Sequence, residues 1–240
     1  MQPASIIDVF CVFPEAVEAM LGVGVVGRAI ECGVVGLRCF DLRSYAPDGR
    51  IDDMPYGGGA GMVVRVDVVA RALEEVYGVS ARQVRDSREV LVTEPSGRAF
   101  DQSYARELAG GLSEGRGLTM ICGRYGGLDE RVRTELASGA ISVGDFVLSG
   151  GEIAAAAVSD SVIRLLDGVL GNSESLVGES FSAEEPGVLG PPQYTRPSEW
   201  DGEAVPSVLL SGNHAEIRRW REREARSRSH ARPETRDGAS

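Results

Sequence analysis

The stretch ISVGDFVLSGGE, residues 141–152, joins a short apolar run to a long one and decides the fold class. Residues 140–143 have the length and β-branched content of a strand. Ser149 and Glu152 have the S-x-x-E spacing of a capping box, which predicts a helix from here to about residue 166. That helix is apolar almost all round, as in helices buried in a core or a subunit interface. A strand, a glycine-rich loop and a buried helix are typical of an α/β domain.

The same alternation continues toward the N-terminus. Further strand candidates are 6–13, 36–40, 89–93 and 118–122, and helical patterns cover 66–77, 100–108 and 128–136. We therefore predict an α/β domain built around a mostly parallel sheet.

The C-terminal third has a different composition. Residues 168–190 lose periodicity and fill with Gly, Ser, Glu and Pro, which indicates a linker. Asn213 and Glu216 then predict the start of a last helix, through about residue 228, with a small apolar stripe at Ile217 and Trp220. We predict a small helical C-terminal domain.

Charge is unevenly distributed along the chain. The formal net charge is −11, but residues 213–240 contain 8 Arg against 5 acidic residues. An acidic protein repels nucleic acid, whereas a local basic segment suits an RNA contact. A solvated helix face explains the same arginines about equally well. All 25 basic residues are Arg, which excludes a Schiff-base lysine and a lysine-containing phosphate loop.

The cysteines and the apolar runs suggest a cytoplasmic protein. The four cysteines form no C-x-x-C pair and both histidines lie far downstream, so we expect reduced thiols and no metal site. No run of about 18 apolar residues is present, and the N-terminus lacks the pattern of a signal peptide. We expect no membrane partner.

One glycine motif suggests a nicotinamide-dependent oxidoreductase. Gly22, Gly24 and Gly27 match G-x-G-x-x-G, and Asp41 follows at the spacing of a ribose-binding acid. These glycines should follow a strand directly, but residues 14–20 intervene and look helical. A glycine-rich turn before a helix explains the motif better.

Other glycine-rich segments are better candidates for a ligand site. Residues 52–62, DDMPYGGGAGM, place four glycines in five positions, with Tyr56 and Met62 as expected anchors. Three more glycine-rich turns, 93–98, 123–127 and 142–151, follow strand candidates. Open α/β folds bind ligands at the carboxyl ends of parallel strands. Three such loops with few charges suit a neutral adenosine-like group.

Taken in order, these motifs resemble those of the TrmD-type tRNA (guanine-37-N1)-methyltransferases. The shared segments are DDxPYGGGxGM, GRYxGxDERV, ISxGD[FY]VLSGGE, GVLGN, YTRP and VPxVLLSGNHxxIxxWR, within residues 6–233. The resemblance implies a SPOUT-class α/β domain with a deep trefoil knot, an obligate homodimer, and active sites shared between subunits. It also implies S-adenosylmethionine as cofactor, an association with Mg²⁺, and tRNA with guanine at position 37 as substrate.

The resemblance also implies a domain division and site residues. Residues 1–170 would be the knotted catalytic domain, 171–190 a linker with the catalytic carboxylate, and 191–240 a helical tRNA-binding domain. Glu179 would be the general base toward guanine N1, and Arg164 would donate to guanine O6. The expected cofactor-binding residues are Thr93, Glu94, Pro95, Gly123, Tyr125, Ser142, Val143, Gly144, Phe146, Leu148, Gly150 and Gly151.

The chain departs from the usual family pattern at several of these positions. Glu179 stands where Asp is common, and Gly126 stands where the family has Glu. Thr93 to Ser96 replace a more usual L-S-P-Q, which adds the acid Glu94. Two alternatives therefore stay open: a catalytically impaired cofactor- or RNA-binding member of the same fold, and a knotted methyltransferase that acts on another RNA.

Overall fold

The structure, a computed structural model, describes residues 5–171 and 178–232. The chain divides into two compact units, Met1–Gly171 and Asn172–Ser240. Residues 172–177 of the expected linker and residues 233–240 of the basic segment lie outside the described residues.

The first unit contains a five-stranded sheet in the order β2-β1-β6-β5-β7, in which every neighbouring pair is parallel. Its strands are β1 Ser5–Cys11, β2 Val35–Asp41, β5 Glu89–Ala99, β6 Leu118–Cys122 and β7 Gly139–Ser142. Two short strands, β3 Asp52–Asp53 and β4 Val63–Val64, form a separate antiparallel pair. The predicted α/β class and parallel sheet are confirmed.

Both faces of the sheet are apolar, which explains why its strands show little alternation between apolar and polar residues. In β1, Ile7, Val9 and Cys11 belong to one core cluster, while Phe10 belongs to a second cluster on the opposite face. Asp8 also lies on this second face, fully buried, where it accepts hydrogen bonds from Arg38, Arg88 and Tyr77.

Helices cover both faces and complete a three-layer domain. Buried residues of α1 Pro14–Leu21, α2 Gly24–Glu31, α5 Gln102–Ser113 and α6 Glu152–Ile163 belong to the first cluster. Buried residues of α3 Val66–Tyr77 and α4 Ala81–Ser87 belong to the second. The helix α6 is buried on most sides, as its apolar sequence predicts.

One local prediction in this unit is only partly met and another is wrong. The helix expected at 128–136 is present over 130–136, and most of it is a π-helical turn, Val132–Leu136. The expected capping box at the start of α6 is absent, because Gly151 is the N-cap and no side chain caps the helix. The side chain of Glu152 instead accepts hydrogen bonds from Arg124 and from the backbone N–H of Val12.

The G-x-G-x-x-G segment runs from the C-cap of α1 into the first turn of α2 and does not follow a strand. The helix expected at 14–20 is present as α1, and Gly24 opens α2 with a φ of +66°. The side chain of Asp41 accepts hydrogen bonds from Arg43. These glycines therefore form a turn between helices and lack the context of a dinucleotide-binding loop.

The second unit is small and mainly helical. It contains a hairpin, β8 Glu199–Trp200 and β9 Glu203–Ala204, and two helices, α7 Ser207–Leu210 and α8 His214–His230. The predicted cap is confirmed, because the side chain of Asn213 accepts from the N–H of Glu216. Trp220 is buried and contacts Tyr194, with ring centroids 6.1 Å apart.

None of the helices in the described ranges is both long and apolar enough to cross a membrane.

Candidate active site

Three loops at one edge of the sheet surround a cavity of about 430 Å³: a bulge within β5 after Thr93, and the segments that follow β6 and β7. These strands are neighbours in the sheet, so their ends meet at one edge. Every residue that the sequence predicts for cofactor binding lines this cavity: Thr93, Glu94, Pro95, Gly123, Tyr125, Ser142, Val143, Gly144, Phe146, Leu148, Gly150 and Gly151. The structure thus brings the twelve residues together, and their role in binding a cofactor stays a prediction.

The first loop leaves and re-enters the same strand. Within β5, Thr93 and Arg98 both pair with Ile141 of β7, so residues 94–97 bulge out of the sheet. Gly97 permits this course, because a Cβ there would lie only 2.5 Å from the carbonyl carbon of Ala140. The bulge brings Glu94, Pro95 and Ser96 to the cavity wall.

The second loop, 123–127, follows β6 and is stabilised by backbone hydrogen bonds. The N–H of Gly127 donates to the carbonyl of Arg124 (2.9 Å), and the N–H of Gly126 donates to the carbonyl of Met62 (2.7 Å). Tyr125, which directly precedes these two glycines, has a φ of +59°. This conformation costs a non-glycine residue free energy and is often found at functional sites.

The third loop, 143–151, packs tightly on the other two. The N–H of Gly151 donates to the carbonyl of Gly123 at 2.9 Å. A Cβ on Gly151 would clash with Thr93 and would lie 2.9 Å from the Cα of Cys122. Only glycine fits this position without a shift of neighbouring backbone.

A buried ion pair joins the second loop to α6. Nε of Arg124 lies 3.1 Å from Oε2 of Glu152, whose side chain is 2% exposed. Arg124 also donates to the carbonyl of Ser149 (3.3 Å) and stacks over the ring of Phe13, 4.5 Å from its centroid. The sequence does not predict this pair, since the spacing of Glu152 suggests a helix cap. Arg124 lies inside the GRY motif, which is the signal that points to it.

The glycine-rich loop at 57–61 does not have the anchors expected of it. Its four glycines all have positive φ, and Tyr56 is fully exposed, so the predicted anchoring role of Tyr56 is wrong. Met62 is partly buried, and its carbonyl accepts the hydrogen bond from Gly126.

The two predicted catalytic residues lie in different units. Arg164 is the half-buried C-cap of α6, and it is not among the described residues that line the cavity. Glu179 lies in the second unit, half-buried, between Gly178 and Ser180.

The segment that carries Glu179 is held within the second unit. The N–H of Phe181 donates to the carbonyl of Val188 (2.7 Å), and the N–H of Gly190 donates to Oγ of Ser180 (3.0 Å). The N–H of Leu189 in turn donates to Oγ of Ser229 on α8 (2.8 Å). Residues 178–190 therefore form a turn fixed to the last helix.

No group of three or more His, Cys, Asp or Glu side chains suited to a metal ion occurs among the described residues. The Mg²⁺ that the resemblance implies therefore has no such cluster among the described residues.

Comparison with known proteins identifies the family. Residues 6–236 match the family model described as tRNA (Guanine-1)-methyltransferase TrmD. A Geobacter protein named tRNA (guanine-N(1)-)-methyltransferase is 47% identical over 234 residues, which cover 96% of this chain and 89% of that protein. A protein of the same name from Roseobacter denitrificans is 47% identical over 89% of this chain and 85% of its own length. Another from Listeria monocytogenes is 43% identical over 94% of this chain and 89% of its own length. The chain belongs to the TrmD family of tRNA (guanine-1)-methyltransferases.

Proposed function

We propose that this protein transfers a methyl group from S-adenosylmethionine to N1 of guanine 37 in tRNA. Family membership and the names of its relatives support methyl transfer to a tRNA guanine. The observation that carries the proposal is the cavity, where loops distant in sequence bring together all twelve expected cofactor-binding residues.

The cavity fits an adenosine-containing ligand. Its volume is within the range of about 300–1,000 Å³ for small-molecule sites. Glycines place backbone groups at its wall, and Phe146, Val143 and Leu148 supply apolar surface for a base. When bound, S-adenosylmethionine supplies an electrophilic methyl group. The protein's own contribution is to hold the ligand and to orient guanine toward it.

Guanine N1 carries a proton at neutral pH, so it needs a base as it attacks. We assign this role to the carboxylate of Glu179, which would take the N1 proton. We assign the guanidinium of Arg164 to guanine O6, where it would stabilise negative charge that develops as N1 loses its proton. Glutamate in place of aspartate keeps the charge and extends the side chain by one methylene group.

The expected partners and architecture form part of the proposal. Several large apolar side chains of the first unit are exposed and suit a homodimer interface: Phe13, Met20, Val23, Val25 and Ile153. Exposed arginines of α8 suit the tRNA phosphates. The trefoil knot and the shared active site rest on the resemblance, and the cytoplasmic location rests on the cysteine pattern and the lack of long apolar runs.

The test is methyl transfer from labelled S-adenosylmethionine to a tRNA with guanines at positions 36 and 37. We expect transfer to need guanine 37 and to fall by a factor of about 100 or more in Glu179→Gln, the usual contribution of a general base. Glu184→Gln changes an exposed carboxylate of the same segment and serves as the matched control.

The outcomes separate the alternatives. Methylation that persists after guanine 37 is replaced would contradict the proposed target. Cofactor binding without methylation of any tRNA would favour the catalytically impaired member of the fold. Gly126 and Glu94 are then the first positions to change back to the residues common in the family.

A further inference from the structure

The charge on the cavity wall comes from very few side chains. Of the described residues that line the cavity, only Glu94 and Arg124 are charged. The guanidinium of Arg124 is 3.1 Å from the buried carboxylate of Glu152, so its charge is balanced inside the protein. Among the described lining residues, Glu94 is therefore the one whose charge is left largely for a ligand to meet.

The other contacts of Glu94 offset little of this charge. Oγ of Ser96 donates to its Oε1 at 2.6 Å, which adds no charge. Nε of Arg133 lies 3.7 Å from the same oxygen. Arg133 is also 2.7 Å from Glu130, and its side chain is 45% exposed, so water and a second carboxylate weaken its effect on Glu94.

The side chain of Glu94 is only 23% exposed, and the surrounding glycine loops keep part of the bulk water away. A carboxylate attracts a cation more strongly in such surroundings than in open water. S-adenosylmethionine has a positive sulfonium, whereas its demethylated product, S-adenosylhomocysteine, has a neutral thioether at the same place. The two ligands share the adenine, the ribose and the amino-acid group.

We propose that Glu94 determines specificity between these two ligands, because its carboxylate favours the positively charged sulfonium form over the neutral thioether. This inference rests on the proposed function. By this inference Glu94 aids both the capture of the methyl donor and the release of the product. The product binds more weakly because it has lost the positive charge that the carboxylate attracts.

The test is calorimetric titration of the full-length protein with each ligand, without tRNA. In Glu94→Gln, we expect the ratio of the Kd for S-adenosylhomocysteine to the Kd for S-adenosylmethionine to fall about tenfold, equivalent to about 1.4 kcal/mol. We expect the change to come from weaker binding of S-adenosylmethionine. Glu94→Asp keeps the charge and should keep most of the preference.

Glu114→Gln is the matched control, because Glu114 is an exposed carboxylate at the C-cap of α5 and does not line the cavity in the described structure. It should leave the ratio unchanged. Raising the salt concentration should reduce the preference of the unchanged protein and have little effect on Glu94→Gln. Thermal unfolding of each variant verifies that it is folded.

Equal loss of affinity for both ligands in Glu94→Gln would overturn the inference, because Glu94 would then contact a group that they share. An unchanged ratio would overturn it as well. Neither result affects the proposed methyl transfer, which the tRNA assay tests separately. Failure of the unchanged protein to bind either ligand would instead overturn the proposed function.

Discussion

The four cysteines differ in burial, and burial makes three of the thiols less acidic. Burial raises the pKa of Cys39 to about 12, and it raises the pKa of Cys11 and of Cys122 well above its ordinary value. A thiol reacts as its thiolate, and these three groups stay protonated throughout the neutral range. Cys32 is exposed.

We therefore expect one fast-reacting thiol in the folded protein at pH 8. A maleimide reagent should label Cys32 rapidly, and it should label the other three cysteines only after the protein unfolds. Cys32→Ser should remove the fast phase, while denaturant should expose four thiols in the unchanged protein. Two fast thiols in the native protein would contradict the prediction for Cys39, and three or more would contradict the burial of Cys11 and Cys122.

Gly151 is the tightest position in the candidate site. A Cβ there would clash with Thr93 and lie 2.9 Å from the Cα of Cys122, so loops of the cavity would have to move apart. We expect Gly151→Ala to lower the free energy of unfolding by about 1–3 kcal/mol, a typical cost of overpacking, and to weaken S-adenosylmethionine binding at least tenfold. Chemical denaturation and calorimetry measure the two effects.

Gly110→Ala is the control for this substitution. Gly110 lies within α5, is exposed, and has open space around the position of a Cβ. Alanine should stabilise the protein by about 0.5–1 kcal/mol, because glycine is unfavourable inside a helix. If both variants leave ligand binding unchanged, close packing at Gly151 does not shape the site.

Among the elements, the second loop and α6 are connected by a buried ion pair. Glu152 is buried at the first residue of α6, and Arg124 compensates its charge. Arg124→Ala should destabilise the protein by about 3 kcal/mol, because it leaves a buried carboxylate without a cation. Denaturant unfolding measures this loss.

Arg131→Ala provides the comparison, since Arg131 pairs with Asp129 on the surface and its side chain is 62% exposed. We expect a loss below about 1 kcal/mol there. Equal effects of the two substitutions would show that the pair between Arg124 and Glu152 is no more important than a surface pair.

The elements also show what the sequence can predict and what it cannot. The strand at 118–122 and the helix at 66–77 have the predicted bounds, because a continuous apolar run and a 3.6-residue period are local signals. The sequence does not reveal the role of Glu152, because its partner lies 28 residues away. It predicts the long strand β5 only to residue 93, because the bulge at 94–97 depends on pairing with β7. The sequence does predict that the three loops of the cavity lie close together, because the carboxyl ends of parallel strands lie at the same edge of a sheet.

Across the whole molecule, charge is divided between an acidic part and a basic end. Residues 1–212 contain 17 Arg against 31 acidic residues, whereas 213–240 contain 8 Arg against 5. Trp220 and Ala225 of α8 are buried, while Arg219 and Arg226 are exposed. The helix thus uses its apolar residues for packing and leaves these arginines available to a polyanion.

The last prediction concerns tRNA binding by this helix. Replacing Arg219 and Arg226 with Gln should weaken tRNA binding and make its salt dependence shallower. The logarithmic slope should change by about 0.7–0.9 for each phosphate that the protein no longer neutralises. The packing of the helix should be unaffected, because both side chains are exposed. S-adenosylmethionine affinity should stay the same, since the cavity is built from the first unit.

A double replacement of Arg71 and Arg82 with Gln is the matched control for this prediction, because both are exposed arginines of the acidic part. It removes the same amount of positive charge from the protein but leaves α8 intact. Filter binding at several salt concentrations distinguishes the two proteins, since only the change in α8 should make the slope shallower. An equal change of slope in both would show that overall charge, rather than α8, governs the interaction with tRNA.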